Sequence, residues 1–229
     1  MTQSKVLIYN CMEFPDKIRM FRQGIEREVL KVGIEAEYFE PLCPEVFVRV
    51  DEFTHLIISG SESSAMDESF WTEELTRLIQ LFVEKDLKIL GICYGHQFLA
   101  RALCGKECLY KLPVPEYGYS KISIKENRLF QNIKNPVVLQ LHYDAVRNLS
   151  DDFKIIAENS TSVQAFQYKE MDVFGVQFHP EFDQTMAHYF LEEARKSDPA
   201  FPTFYRNELK DENILAQNGL FIRNFLGFR

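Results

Sequence analysis

Short apolar runs alternating with helical stripes do most to limit the folds open to this chain. KVLIYN (5–10) suits a strand; after Pro15, Ile18, Phe21, Ile25 and Val29 recur at helical spacing until Gly33 stops the helix. IEAEYFE (34–40) alternates like a half-buried strand, and THLIISG (54–60) is a buried-strand candidate that breaks at Gly60. Trp71, Leu75, Leu78, Ile79 and Phe82 form one helical stripe, LKILGI (87–92) a further strand, and Tyr94 to Leu103 a helix with Gly105 just past its end. Strands separated by helices of this length imply parallel βαβ units, so the expected class is α/β, a three-layer sandwich around a mainly parallel central sheet.

The second half changes texture. YSKISI (119–124), PVVLQLHY (136–143), FKIIAE (153–158), SVQAFQYK (162–169) and DVFGVQFH (172–179) follow one another too closely for helical crossovers. They predict an antiparallel extension of the same sheet. Asp183 to Lys196 reads as helical, and ENILAQNGLFIRNFLGF as a C-terminal helix burying Ile214, Leu215, Ile222 and Phe225. The expectation is a single domain over 1–229, with 197–229 an extension packed on it.

Apolar residues make up 46% of the 229 and aromatics 14%, enough for a sizeable core, and the net charge of −8 argues against a nucleic-acid or anionic-membrane surface. The start lacks a signal-peptide pattern and no apolar run reaches bilayer length, so a cytoplasmic location is expected. Five cysteines, Cys11, Cys43, Cys93, Cys104 and Cys108, are scattered and odd in number, which does not suggest a disulfide framework. Cys104 and Cys108 have no second pair at zinc spacing and read as core or surface thiols, and no metal or organic cofactor is expected.

Cys93 stands apart. It follows a buried strand, opens a helix and is bracketed by Gly91 and Gly95 in KILGICYGHQ. That order is the geometry of a nucleophile elbow, with the glycines removing side chains that would collide where strand and helix meet. The turn also aims helix N-terminal amides near the sulfur, favouring a thiolate. Chance gives only about 0.03 such G-x-C-x-G matches in a chain with this cysteine content. GVQFHPEF (175–182) supplies a base: residues two apart in an extended chain share a side, so His179 and Glu181 can project together. A carboxylate beside an imidazole fixes its tautomer and stabilises the imidazolium.

Together, G91-I-C93-Y-G95-H-Q97 and F178-H179-P180-E181 resemble the class I glutamine amidotransferase signature. The resemblance covers about residues 5 to 190 and implies a flavodoxin-like sheet. It further implies that Cys93 attacks the side-chain amide of glutamine, His179 shuttles the proton and Glu181 orients His179, giving a γ-glutamyl thioester and ammonia. By the same resemblance, the N–H groups of Gly60 and Tyr94 form the oxyanion hole. Ser61 replaces a common second glycine in that loop, which leaves open which loop N–H faces the oxyanion. Gln97 would help to seat the substrate, and His142 and Tyr143 of L141-H142-Y143-D144 would border its pocket, a structural histidine being the alternative at His142. His96 is expected on the helix surface or behind the site, and His55 and His188 carry no functional context.

The resemblance implies a glutamine or γ-glutamyl substrate and a synthase or acceptor-enzyme partner, since no P-loop, Rossmann fingerprint or further domain is visible. A γ-glutamyl peptidase with the same triad is the enzymatic alternative. A partner-binding subunit of weak activity is the other, motivated by Phe201, Phe204, Tyr205, Phe221, Phe225 and Phe228, which could equally cover the domain's own elements. An ester hydrolase with a cysteine elbow would normally place its acid before the histidine.

Overall fold

Residues 4–227 are described by the structure, a computed structural model. The first part of the chain runs β1 (Lys5–Tyr9), α1 (Pro15–Val32), β2 (Glu35–Phe39), α2 (Glu45–Val48), β3 (His55–Ile58), α3 (Thr72–Glu84), β4 (Lys88–Ile92) and α4 (Tyr94–Cys104). It continues through β5 (Leu109–Lys121), β6 (Ser123–Ile124), β7 (Val137–Val146), β8 (Phe153–Glu158), β9 (Val163–Tyr168) and β10 (Val173–Val176). Last come α5 (Gln184–Ser197), α6 (Phe201–Phe204), β11 (Tyr205–Asn207) and α7 (Gly219–Leu226).

Eight strands form the main sheet in the order β2-β1-β3-β4-β10-β9-β8-β6. The first five are parallel, and β9, β8 and β6 add an antiparallel edge, as the two textures of the sequence predict. Both faces are covered, so β1 is apolar at four successive positions. Val6 and Ile8 join Phe21 and Ile25 of α1 and Phe221 and Phe225 of α7. Leu7 and Tyr9 face the other way, into a core with Leu75, Leu78 and Phe82 of α3 and Phe98 of α4. Proline at the first turn of α1 loses no helical hydrogen bond, and Gly33 (φ 71°) closes that helix in the left-handed conformation, its N–H reaching the Val29 and Leu30 carbonyls.

Three expectations are corrected. The strand predicted from Tyr119 begins at Leu109, and β5 pairs with β7 and β11 in a separate three-stranded sheet. Its register breaks between Lys111 and Glu116, where Pro113 and Pro115 have no N–H to give the ladder, and this hid the strand's first half. The predicted last helix is two pieces: Glu212–Gln217 is a 3₁₀ stretch with Ile214 and Leu215 only half-buried, and α7 starts at Gly219. A Cβ at Gly219 would lie 2.6 Å from the Glu28 carboxylate, so a side chain there would have to displace that carboxylate. Phe201, Phe221 and Phe225 are buried, Phe204 is half-buried, Tyr205 is exposed, and Phe228 lies outside the described residues. Among the described residues every cysteine is a free thiol, and no helix is long and apolar enough to cross a membrane.

Candidate active site

Three adjacent parallel strands, β3, β4 and β10, end side by side, and the residues just past their ends are the ones the sequence singles out. Gly60 follows β3, Cys93 follows β4, and Gln177, Phe178 and His179 follow β10. Parallel pairing thus gathers residues more than a hundred positions apart at one edge of the sheet.

Cys93 has φ 52° and ψ −103°, a conformation that side-chain-bearing residues rarely adopt and that costs about 1–3 kcal/mol. Its N–H is tied to the Val176 carbonyl (2.9 Å) and the Gly95 N–H to the Ser59 carbonyl (3.1 Å), which clamps the turn from both flanking strands. The two glycines are steric requirements. A Cβ at Gly91 would stand 2.3 Å from the Gly95 carbonyl oxygen, and one at Gly95 would stand 2.5 Å from the Ile58 carbonyl oxygen. Among the described residues, the N–H groups of Gly60 and Tyr94 have no protein acceptor.

His179 and Glu181 meet as the alternation predicts, with Nδ1 2.8 Å from Oε1. Both are buried, and the imidazole stacks on Phe182 at 4.7 Å. Burial opposes a charge on His179, but the Glu181 carboxylate and the Cys93 sulfur outweigh it, and the imidazolium is pushed up to about 10. Gly60 closes the group from β3: a Cβ there would lie 3.3 Å from His179 Cε1 and 3.8 Å from Cys93 Cβ. The turn that carries Glu181 is held from α1 through its backbone, which sequence reasoning missed, while the second carboxylate oxygen has no hydrogen-bond partner among the described residues. Arg27 Nη2 donates to the Glu181 carbonyl (3.0 Å) while its Nη1 pairs with Asp183 (2.7 Å). A Cβ at Gly24 would be 2.4 Å from that same carbonyl oxygen, so α1 approaches the turn backbone to backbone.

Behind the sulfur lies a buried polar chain. Gln97 Nε2 donates to the Asp144 carbonyl (2.8 Å) and to Gln177 Oε1 (3.2 Å), and Gln177 Nε2 is 3.7 Å from Cys93 Sγ. His142 is buried, with Nδ1 2.9 Å from the Asp144 carbonyl. Its Nε2 is 3.1 Å from Glu116 Oε2, within ion-pair range but outside hydrogen-bond geometry. Burial works against the Glu116 charge, but His142, Asn159 and Ser162 hold its carboxyl below the usual range. Tyr143 is 44% exposed, its hydroxyl shared with Tyr117 and Asp198.

Of the two places expected for His96, burial excludes the helix surface. The residue is fully buried against Phe166 and Gly175, and burial pushes it down to about 3. Gly175's backbone is near, yet neither ring nitrogen has a hydrogen-bond partner among the described residues. His55 is likewise buried and pushed down to about 3, at the opposite end of the sheet, and His188 is exposed on α5.

A cleft of about 690 Å³ opens over these groups. Cys93, Tyr94, Gln97, His142, Tyr143 and His179 line it, with Ser61 at its wall, while Gly60 and Glu181 stand behind. A sulfur and an imidazole lining one cleft, the imidazole backed by a carboxylate, are an arrangement suited to nucleophilic attack on a carbonyl.

Residues 14–195 match the family model described as glutamine amidotransferase class-I. The chain is 36% identical over 165 residues to the glutamine-hydrolyzing GMP synthase subunit of Methanococcus vannielii, covering 70% of this chain and 82% of that one. It is 29% identical over 164 residues to the protein of the same name from Pyrococcus abyssi, covering 70% and 84%. Among solved structures, a glutamine amidotransferase from Thermotoga maritima superposes with a TM-score of 0.75 at 21% identity, over 99% of this chain and 97% of that one, which speaks for the fold. With a family model matched over most of its length and a glutamine-hydrolysing relative at more than a third identity, the chain belongs to the class-I glutamine amidotransferases.

Proposed function

We propose that this protein hydrolyses the side-chain amide of glutamine through Cys93. Glu181 fixes the proton of His179 on Nδ1, leaving Nε2 to take the thiol proton. The sulfur attacks the amide carbon, and the N–H groups of Gly60 and Tyr94 receive the oxyanion. His179 returns the proton to the departing nitrogen, so ammonia leaves and a γ-glutamyl thioester remains. A water, deprotonated by the same imidazole, cleaves the thioester to glutamate and the free thiol. The observation that carries this reading is the strained Cys93 at the end of β4, flanked across the sheet by the 2.8 Å His179–Glu181 pair. The test is glutamate and ammonia release from glutamine by wild type and Cys93→Ala; equal rates would end the proposal.

Ammonia made this way has a natural use in amidation. The relatives named as GMP synthase subunits support a separately encoded synthase as partner. Co-purification with such a synthase, together with a glutaminase rate that rises in its presence, tests this. The cleft volume favours a second reading. It lies in the range that accepts drug-sized ligands and exceeds what one amino acid fills, which suits a γ-glutamyl peptide or conjugate. Steady-state rates on glutamine and on γ-glutamyl dipeptides rank the two.

A further inference from the structure

Gln177 has no exposed surface, and the hydrogen bonds behind it settle which way its amide faces. A backbone carbonyl can only accept, so Gln97, 2.8 Å from the Asp144 carbonyl, presents its NH₂ group there. The second proton of that NH₂ is directed at Gln177, 3.2 Å away, so Gln177 must offer it Oε1. The other end of the Gln177 amide, the NH₂, is then committed to Cys93 Sγ at 3.7 Å. One carbonyl two side chains away thereby dictates that the group facing the sulfur is a donor. His142 Nδ1, 2.9 Å from the same carbonyl oxygen, shares it with Gln97.

We propose that Gln177 is a built-in hydrogen-bond donor to the Cys93 sulfur, its orientation set by Gln97 and the Asp144 carbonyl, and that it favours the thiolate. A donor aimed at a charged acceptor stabilises the charged form, and this leaves the backbone amides of the elbow free for an oxyanion. The titratable groups lining the cleft over the sulfur are His179, backed by Glu181; His142, Tyr143 and Asp144 of β7; Lys111 and Tyr117 of β5; Tyr94 of α4 and Glu193 of α5; and Lys17, Glu62 and Asp67 at the wall. They are common to every variant below. The inference rests on Cys93 as the nucleophile, but its test reads the sulfur and not glutamine turnover.

The experiment follows iodoacetamide alkylation of the Cys93 peptide by mass spectrometry, in the full chain and as a function of pH. Wild type is compared with Gln177→Met and Gln177→Glu, with thermal melts as a check on folding. Met removes the donor at nearly constant shape, and the alkylation midpoint is expected to rise by about one pH unit, the effect of losing one hydrogen bond to a charged acceptor. Glu still accepts from Gln97 but turns an oxygen on the sulfur, and it is expected to raise the midpoint at least as far. A carboxylate shifts the midpoint by its own charge, so Met carries the distinction: if Gln177 only holds Gln97 in place, the Met midpoint stays at the wild-type value. That result overturns the proposal. Shifted midpoints in a protein that never consumes glutamine would uphold it while removing the proposed reaction. If the Met variant does not fold, an unchanged midpoint in the Glu variant still overturns it.

Discussion

Two buried histidines flank the Cys93 elbow, and they titrate in opposite directions. His96 belongs to the cysteine motif itself, yet it faces Phe166 and Gly175 and is driven down to about 3. His179 arrives from β10, faces a carboxylate and a sulfur, and is driven up to about 10. Burial opposes charge in both places. What separates them is a partner: proximity in sequence to Cys93 confers nothing, and a carboxylate 2.8 Å away changes the sign.

The sharpest way to break this contrast is to compare activities. Cys93→Ala should lower glutamine hydrolysis by about 10⁴-fold or more, whereas His96→Leu should stay within a few-fold of wild type in the same assay. Glu181→Gln keeps the shape but loses the charge, and kcat should fall about 10³-fold. Stability against pH separates the histidines again. His179 is raised on folding, so its contribution is complete below its unfolded value near 6.5 and fades as pH climbs towards 10. His179→Asn should therefore destabilise by about 3 kcal/mol in mildly acidic buffer and by progressively less in alkaline buffer, read by denaturant titration.

His96 is lowered, so the unfolded chain binds the extra proton and stability drops as pH falls below about 6.5. Going from about pH 7 to pH 5, this one group removes about 2 kcal/mol, and His96→Leu should abolish that part of the slope. A midpoint that tracks wild type at both pH values would show that His96 is not neutral in the fold. The smallest effect concerns strain. Cys93→Gly relieves a positive φ and should raise stability by about 1 kcal/mol while removing activity.

Much of this was legible because local patterns carry it. Apolar runs and helical stripes placed the parallel strands of the first half, and Gly91, Cys93 and Gly95 announced the turn through sterics acting over four residues. His179 and Glu181 were readable as neighbours because an extended chain repeats every two residues. Other features depend on contacts that no local pattern records. Gly24 and Arg27 look like ordinary positions of an amphipathic helix, and their meeting with Glu181 spans more than 150 residues. His96 shared a motif with Cys93, but the Phe166 and Gly175 that surround it come from the other half of the chain. Gln177 gave one cue that went unused, a polar residue in an apolar strand. The prolines that interrupt β5 concealed a whole second sheet.

The position of β10 has a consequence for how the protein comes into being. It is an interior strand, inserted between β4 and β9, and it also delivers Gln177 and His179. A nascent chain emerges with Cys93 first and synthesises the partners of its sulfur more than eighty residues later. Until β10 docks, the sheet is open along β4 and the thiol has neither imidazole nor amide beside it. On the proposed reading, closing the sheet and arming Cys93 are one event, so a partly folded molecule does not hydrolyse glutamine.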